Sequence, residues 1–354
     1  MPFLTRHDPR LIQLAKTLFR YSGIRHLLKP VFAGEGVVFM LHRVLPASNG
    51  PRLSANSRLE VTPEFLDAVI DFIIDAGYEV ISLDELYERL LQGSAGQPFA
   101  CFTFDDGYAD IYEHIQPLFK RRNLPFAAYI STSYIDKTMV MWHYMLEKLI
   151  LEEEEIRFTF QGMKHTSRTS TRQEKESVYE GLRDTIMDLP REEYSELFDS
   201  LFTAHGIHAK DFDSQTLNWD QVIELSKDPL VTLGAHTVNH FNLAQLDEER
   251  VREEIVQSRQ QLEERIKQPV KHFSYPFGKR SAAGPREFRI AAECGFRTMT
   301  TTREGNIFLQ HKYHLNCLPR IDISGRYQDL TILEMRLNGL FSLARNGLQR
   351  VVTL

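Results

Sequence analysis

Short apolar runs alternate along the chain with segments whose apolar positions recur every three or four residues. The runs predict buried strands, and the spaced segments predict helices. The predicted strands lie at residues 35–42, 78–81, 100–104, 125–130, 231–235, 271–275 and 296–300. The predicted helices lie at residues 62–76, 82–92, 110–122, 219–227, 247–267 and 284–294. About seven strands alternating with helices favour an α/β fold, either a barrel or an open parallel sheet.

Residues 137–215 do not follow this alternation. Within them, residues 156–164 are compatible with a small hairpin, and residues 170–189 and 192–205 are predicted to be helices. We interpret this segment as a mainly helical insertion between two barrel strands. Either it shapes a substrate groove, with Trp142 facing the site, or it is an elaboration that makes no direct contact with the substrate.

The two ends of the chain, residues 1–34 and 326–354, are predicted to be helical extensions of a domain at residues 35–325. Both ends carry apolar residues at helical spacing, and packing on the barrel explains that pattern. The alternative is a peripheral contact with a membrane, because several cations accompany the apolar residues of the N-terminal segment. These cations are Lys16, Arg20, Arg25 and Lys29.

The composition is that of an ordinary globular protein, since 42% of the 354 residues are hydrophobic and 25% are charged. A net charge of −6 leaves no basic footprint, so nucleic acid is not an expected partner. Three scattered cysteines give no disulfide framework. The chain does not begin with a secretory signal, and no apolar run approaches the ~18 residues of a membrane span. We therefore predict a cytoplasmic protein.

Two motifs place residues typical of metal sites at the ends of predicted strands. Asp105 and Asp106 follow one strand, and His236 ends another, four residues before His240. In α/β proteins the functional residues lie at the carboxyl ends of strands. Histidines at i and i+4 on a helical turn lie about 6 Å apart, close enough to share a metal. Two histidines and one carboxylate leave positions open for water and substrate, and the second carboxylate can accept a proton. The residues thus predict a metal-dependent hydrolase.

These motifs resemble those of the polysaccharide deacetylase family, the NodB-homology domain of carbohydrate esterase family 4. The family's Thr-Phe-Asp-Asp-Gly motif matches residues 103–107, and its His-Ser/Thr-x-x-His motif matches residues 236–240. An aromatic-Pro-aromatic-Gly segment matches residues 275–278. The resemblance covers about residues 35–135 and 215–325. It implies an irregular (β/α)7 barrel of the polysaccharide deacetylase type.

Carried onto this sequence, the resemblance implies a role for each motif residue. Asp105 would be the general base, and the backbone amide of Tyr108 would stabilise the oxyanion. Tyr275 and Pro276 would line the substrate groove. A divalent metal, zinc in preference to cobalt, nickel, manganese or iron, would have as its ligands Asp106, His236 and His240.

The sequence departs from the best-known members of the family in two roles. Ser274 stands where those members carry an arginine that pairs with the catalytic aspartate, and Arg320 is a candidate to replace it. Those members also carry an acid histidine in a late Leu-x-His segment, a spacing that His311 fits formally, with His314 close behind. In other members the acid histidine lies on an N-terminal strand, which is the position of His42 in this sequence. We therefore assign the role of general acid to His42.

The predicted function is the metal-dependent removal of an N-acetyl group from an N-acetylated sugar or polysaccharide precursor. Two alternatives stay open: hydrolysis of another C–N bond, as in cyclic amides and imides, and carbohydrate binding with weak catalysis. The predicted partner is an N-acetylated carbohydrate, and the sequence does not indicate which sugar or which oligomeric state.

Overall fold

Seven parallel strands form a closed ring at the centre of the protein. The computed structural model describes residues 16–17, 32–48, 50–93, 96–189, 193–339, 342, 346–347 and 349–353. The ring strands are β1 (Gly36–Leu41), β2 (Phe99–Phe104), β3 (Phe126–Ile130), β4 (Val231–Ala235), β5 (His272–Ser274), β6 (Thr298–Glu304) and β7 (Leu318–Asp322). Each strand pairs with the next along the chain, and β1 closes the ring by pairing with β7. The predicted seven-stranded α/β barrel is confirmed.

One of the ring strands was not among the predicted ones. The predicted strand at 78–81 is reduced to Glu79–Val80, which pairs with the first residues of β2 outside the ring. The seventh place is taken by β7, whose apolar pattern is interrupted by Pro319 and Arg320. Proline in a central strand argues against a strand assignment, and the buried arginine hides the apolar character of the run.

Helices cover the outside of the ring, as the alternating pattern predicts. The core helices are Pro63–Asp75, Leu83–Gln92, Gln116–Arg122, Trp219–Leu225, Glu248–Ile266 and Pro285–Glu293, with a π-helical turn at Ile111–Ile115 and short helices at Ser54–Ser57 and Thr132–Ile135. Their apolar faces pack on the outward side chains of the strands. Phe119, for example, lies 5.1 to 5.9 Å, centroid to centroid, from the rings of Phe102, Phe104 and Phe126. Such tilted and edge-on contacts between buried aromatic rings stabilise the core beyond simple burial.

The insertion leaves the barrel after β3 and returns before β4. Its helices are Trp142–Glu152, Arg172–Asp188 and Tyr194–Leu201, and its antiparallel hairpin pairs Glu155–Phe160 with Met163–Arg168. The predicted hairpin and the two predicted helices are therefore present. The apolar side chains of the insertion form a second core, apart from the main core of the barrel, that also includes Leu53 and Tyr108.

The C-terminal extension packs on the barrel. Its helix, Leu330–Leu337, buries Leu333 and Leu337 in the barrel core, and Asn306 Nδ2 donates to the Leu337 carbonyl at 2.7 Å. Of the cations predicted on the N-terminal helix, Lys16 pairs with Asp329, whereas the other three lie outside the described residues. Among the helices that the structure describes, none has the length and apolar character needed to cross a membrane.

Candidate active site

The carboxyl end of β2 carries the paired aspartates into the barrel mouth. The Asp105 amide donates to the Leu41 carbonyl at 3.0 Å, which continues the pairing with β1 for one more residue. At Asp106 the chain leaves the strand with φ of 75°, in the left-handed region that non-glycine residues rarely adopt. This turn directs two successive carboxylates to different neighbours, and both are buried, with 2% and 6% of their surface exposed.

Arg320, from β7, holds the carboxylate of Asp105 through both guanidinium branches. The two N–H···O distances are 2.7 Å each, and the arginine itself is 1% exposed. Its remaining donors bond the Thr301 carbonyl, Thr103 Oγ1 and Ser274 Oγ, at 2.9 to 3.0 Å. Burial alone raises the pKa of Asp105, but the charge and hydrogen bonds of Arg320 outweigh burial and hold that pKa below its ordinary value. Asp105 is therefore an oriented, ionised carboxylate.

The small side chain of Ser274 leaves the space that the guanidinium of Arg320 occupies. Ser274 Oγ accepts from Arg320, and the Ser274 carbonyl accepts from His236 Nδ1 at 2.7 Å. Because a carbonyl can only accept, Nδ1 of His236 carries the proton in the neutral ring, and Nε2 is left with its lone pair.

His236 and His240 are brought together by a loop, and the expectation of a helical turn was wrong. No helix is assigned to residues 236–240, and Thr237 and His240 have left-handed φ angles of 64° and 56°. Thr237 Oγ1 accepts from the His240 amide at 3.0 Å, and this bond closes the loop. The loop is also fixed from outside by Glu254, whose carboxylate accepts from the amides of Val238 and Asn239 at 3.0 and 2.8 Å. Glu254 was not identified from the sequence, where it is one acid among many in a charged helix.

Three ligand atoms of metal-site type converge at this loop. Nε2 of His236 and of His240 lie 3.3 and 3.1 Å from Asp106 Oδ1, and the three atoms fall within 4.8 Å of one another. Asp106 Oδ1 is buried, and no hydrogen bond satisfies it among the described residues. Lone pairs facing a carboxylate oxygen at such distances repel unless a cation lies between them, so this donor set fits a divalent metal.

Two further histidines lie at the barrel mouth. His42, which follows β1, and His143, from the first insertion helix, both line the same cavity as the aspartates. Tyr108 Oη lies 3.1 Å from His143 Nε2, and Tyr108 in turn stacks on the Arg43 guanidinium at 4.6 Å. Burial lowers the pKa of His143 to about 3, so this imidazole is neutral at neutral pH. The sequence pointed to the segment around Trp142, but His143 was not among the predicted site residues.

These residues surround a cavity of about 800 Å³. Trp142 lines it together with several other insertion residues, so the insertion is in contact with the site rather than remote from it. Tyr275 and Pro276, which were expected to line the groove, are buried and are not among the residues that line the cavity. The Tyr275 amide still follows the strand pairing, bonding the Thr300 carbonyl, and its hydroxyl donates to the Asn316 carbonyl at 2.8 Å.

Phe277 takes the place that was expected for Tyr275. Its left-handed φ of 59° turns its ring out of the strand direction and against His240, with the centroids 4.9 Å apart. The turn needs Gly278, since a Cβ there would lie 2.5 Å from the Thr302 amide nitrogen. The late histidines, His311 and His314, do not line the cavity.

The comparisons with known proteins agree with this geometry. A sequence model of the family described as Polysaccharide deacetylase matches residues 92–299. No curated protein sequence matches the chain. The fold is similar to that of the Streptococcus pyogenes deacetylase PplD, at 18% identity, with a TM-score of 0.56 over 84% of this chain and 96% of that one. It is also similar to a de-N-acetylase from Aggregatibacter actinomycetemcomitans, at 16% identity, with a TM-score of 0.54 over 84% and 98% of the two chains.

A third solved structure, IcaB from Ammonifex degensii, is 15% identical, with a TM-score of 0.52 over 85% of this chain and 97% of that one. At these identities the structural likeness shows a shared fold. The sequence match is the stronger finding, because it extends over more than half of the 354 residues and includes both the aspartate and the histidine motif. On that ground the chain belongs to the polysaccharide deacetylase family and is an enzyme of the deacetylase type.

Proposed function

We propose that this protein is a metal-dependent hydrolase that removes the N-acetyl group from an N-acetylated sugar. One observation carries the proposal: a buried, unsatisfied oxygen of Asp106 faces two histidine nitrogens in a cavity that also holds Asp105. This set offers both a place for a cation and a separate carboxylate for proton transfer, which amide hydrolysis requires.

The metal ligands are Asp106, His236 and His240. A nitrogen and oxygen donor set of this kind suits zinc, and also cobalt, nickel, manganese or iron. When bound, such a metal acidifies water and polarises a carbonyl oxygen. The hydrogen bond from His236 Nδ1 to the Ser274 carbonyl supports this role, because it orients the ring and raises the basicity of Nε2.

Asp105 is proposed as the general base. Arg320 occupies one lone pair on each of its oxygens, and a carboxylate keeps further lone pairs that can accept a proton from water. The low pKa keeps the carboxylate ionised and ready to accept. Its bidentate contact fixes the direction in which the free lone pairs point, and such positioning lowers the entropic part of the barrier.

His42 is proposed as the general acid that protonates the leaving amine. Of the two cavity histidines that belong to no ligand set, His143 has a pKa of about 3, so at neutral pH it is a neutral imidazole and a much weaker acid than an imidazolium. The Tyr108 amide is proposed as an oxyanion donor. Tyr108 and Thr216 form an antiparallel bridge, in which the Ala109 amide donates to the Gln215 carbonyl and the Leu217 amide donates to the Gly107 carbonyl. In such a pair the Tyr108 amide points away from Thr216, on the opposite side of the chain.

Metal content tests the proposal first. Elemental mass spectrometry on purified protein should find about one equivalent of a divalent transition metal in wild type, and none in His236→Ala. His208→Ala, at an exposed histidine away from the cavity, is the matched control and should keep the metal. A wild-type protein that is metal-free and refuses added zinc or cobalt would overturn the proposal and favour carbohydrate binding without catalysis.

Turnover tests the roles of the other residues. Acetate release from N-acetylated sugars should be lost in His42→Ala while its metal content stays at the wild-type level. Loss of metal in that variant would place His42 among the ligands, and full activity would remove it from the mechanism. Ring opening of a cyclic amide or imide supplied as substrate, with no acetate released from any N-acetylated sugar, would point instead to hydrolysis of another C–N bond.

A further inference from the structure

The insertion is fixed to the segment that follows β1. Glu147, on the first insertion helix, accepts from the Leu53 amide at 2.6 Å, from Arg52 Nε at 3.1 Å and from Asn56 Nδ2 at 3.0 Å. Tyr179, on the long insertion helix, donates its hydroxyl to Asn56 Oδ1 at 2.7 Å. Glu147, Asn56 and Tyr179 are 1% to 4% exposed, so these are buried contacts that hold two insertion helices to the barrel.

The insertion is also fixed to the segment that follows β4. Gln245 Nε2 donates to Asp188 Oδ1 at 2.9 Å, at the end of the long insertion helix. The rings of Tyr194 and Phe241 meet edge to face, with their centroids 6.4 Å apart. We call these two contacts the Gln245–Tyr194 bridge. All four residues line the cavity, so the bridge forms part of the cavity wall.

Because of the order of strands in the ring, the two attachments make the insertion a wall along one side of the cavity. β2 and β3 lie between β1 and β4, so an insertion anchored at both places spans the mouth above β2 and β3. The facing side of the cavity is formed by Phe277 and Lys279, from the segment that follows β5, and by Thr302 on β6. The metal-ligand set lies between the two sides. An extended polymer needs an open path on both sides of the reacting sugar, and here the insertion occupies one of them.

We infer that the site takes a single N-acetylated sugar, or the sugar at the end of a chain, and excludes internal units of a polymer. The inference rests on the proposed function, because the reacting group is taken to be the acetamido group that meets the metal site. Trp142 and His143, both on the insertion side, are the side chains that such a terminal sugar would meet. The indole offers an apolar face, and the neutral imidazole offers hydrogen bonding to a hydroxyl.

Saturation-transfer NMR with a β-1,4-linked N-acetylglucosamine pentasaccharide tests the inference without requiring turnover. Saturation is expected on one terminal unit, with at least a fivefold weaker signal from the three internal units. Where acetate is released, mass spectrometry of the product should place the free amine on the same terminal unit. Equal saturation along the pentasaccharide, or amines at internal positions, would overturn the inference.

The outcomes separate this inference from the proposed function. Internal amines together with acetate release would support deacetylation and overturn the terminal pocket. Saturation confined to the end, with no acetate from any N-acetylated sugar, would contradict deacetylation and uphold the pocket. No saturation with millimolar pentasaccharide or N-acetylglucosamine would overturn the inference, because a site built for a sugar end is occupied at such concentrations.

The bridge provides a second measurement. In the double variant Tyr194→Ala, Gln245→Ala, saturation is expected to spread to the internal units, because the wall is opened where it meets the β4 side. Tyr313→Ala is the matched control, since this tyrosine is 75% exposed and does not line the cavity. If the double variant has the same thermal unfolding midpoint as wild type, and saturation is still confined to the terminal sugar unit, the bridge is not the barrier that excludes internal units.

Discussion

Replacing Arg320 by methionine would leave a buried carboxylate without its partner. Arg320 is 1% exposed and Asp105 2% exposed, and the guanidinium supplies two hydrogen bonds of 2.7 Å to the carboxylate. Removing one member of such a buried pair costs about 3–5 kcal/mol, because the charge that stays behind is uncompensated. An exposed ion pair is worth at most about 1 kcal/mol, so the two cases are well separated.

The free energy of unfolding in urea, followed by circular dichroism, measures this cost. Arg320→Met should lower it by about 3–5 kcal/mol. Asp105→Leu together with Arg320→Met should recover much of that loss, because the double variant buries no charge. Arg122→Met is the matched control, since Arg122 pairs with Asp67 and Asp71, whose side chains are 38% and 61% exposed. It should change the stability by about 1 kcal/mol or less.

A small effect would refute this reasoning. If Arg320→Met costs no more than Arg122→Met, Asp105 is either solvated or held neutral in the folded protein. If the double variant is as unstable as Arg320→Met alone, the cost comes from the other bonds of Arg320, to Thr103, Ser274 and the Thr301 carbonyl, and not from the unpaired charge.

Three further predictions concern residues outside the motifs. Glu254→Gln should weaken metal affinity by about 10- to 100-fold in a chelator competition, because its amide NH2 would face Asn239 Nδ2, the donor that Glu254 Oε1 accepts at 2.5 Å, and would loosen the histidine loop; an unchanged affinity would contradict this. His143→Gln should lower kcat/KM by about three- to tenfold at unchanged metal content, the loss of one neutral hydrogen bond, and an unchanged kcat/KM would argue against a substrate contact. Burial lowers the pKa of His311 to about 4 from 6.5, so its stabilising effect is full above pH 6.5 and is lost as the pH falls through 4. Wild type should therefore lose up to about 3 kcal/mol more than His311→Gln over that range, whereas a pH-independent difference would refute the assignment.

The sequence predicted the barrel and the residues at its strand ends because these follow from local patterns. An apolar run ending in Asp105 or His236 places a polar side chain at the carboxyl end of a strand, and parallel strands bring those ends together. Arg320 lies near Asp105 for the same reason, although β7 was not predicted. Its strand pattern is masked by the polar residue that the site requires, so function and local pattern conflict at this position.

The errors arose where a tertiary contact or backbone angle decides the outcome. Tyr275 was assigned to the groove by its motif, but the strand pairing continues to its amide, and it is Phe277, with its left-handed φ, that turns to the cavity. The histidine loop was taken for a helical turn because the spacing fits both, and the bonds from Thr237 and to Glu254 fix the loop instead. Contacts between residues distant in sequence leave no periodic signal that a single sequence reveals.

The site is divided between two parts of the fold that are constrained differently. Asp105, Asp106, His236 and Arg320 lie on or just beyond ring strands, and their separations are set by the hydrogen-bonded register of a closed barrel. The substrate wall, in contrast, comes from an insertion whose apolar core is apart from the main barrel core and which contacts the barrel through side chains. A change in the insertion can therefore reshape the pocket without moving the aspartates or the histidines. The prediction that bridge variants alter which sugar unit is contacted, while the metal site persists, follows from this separation.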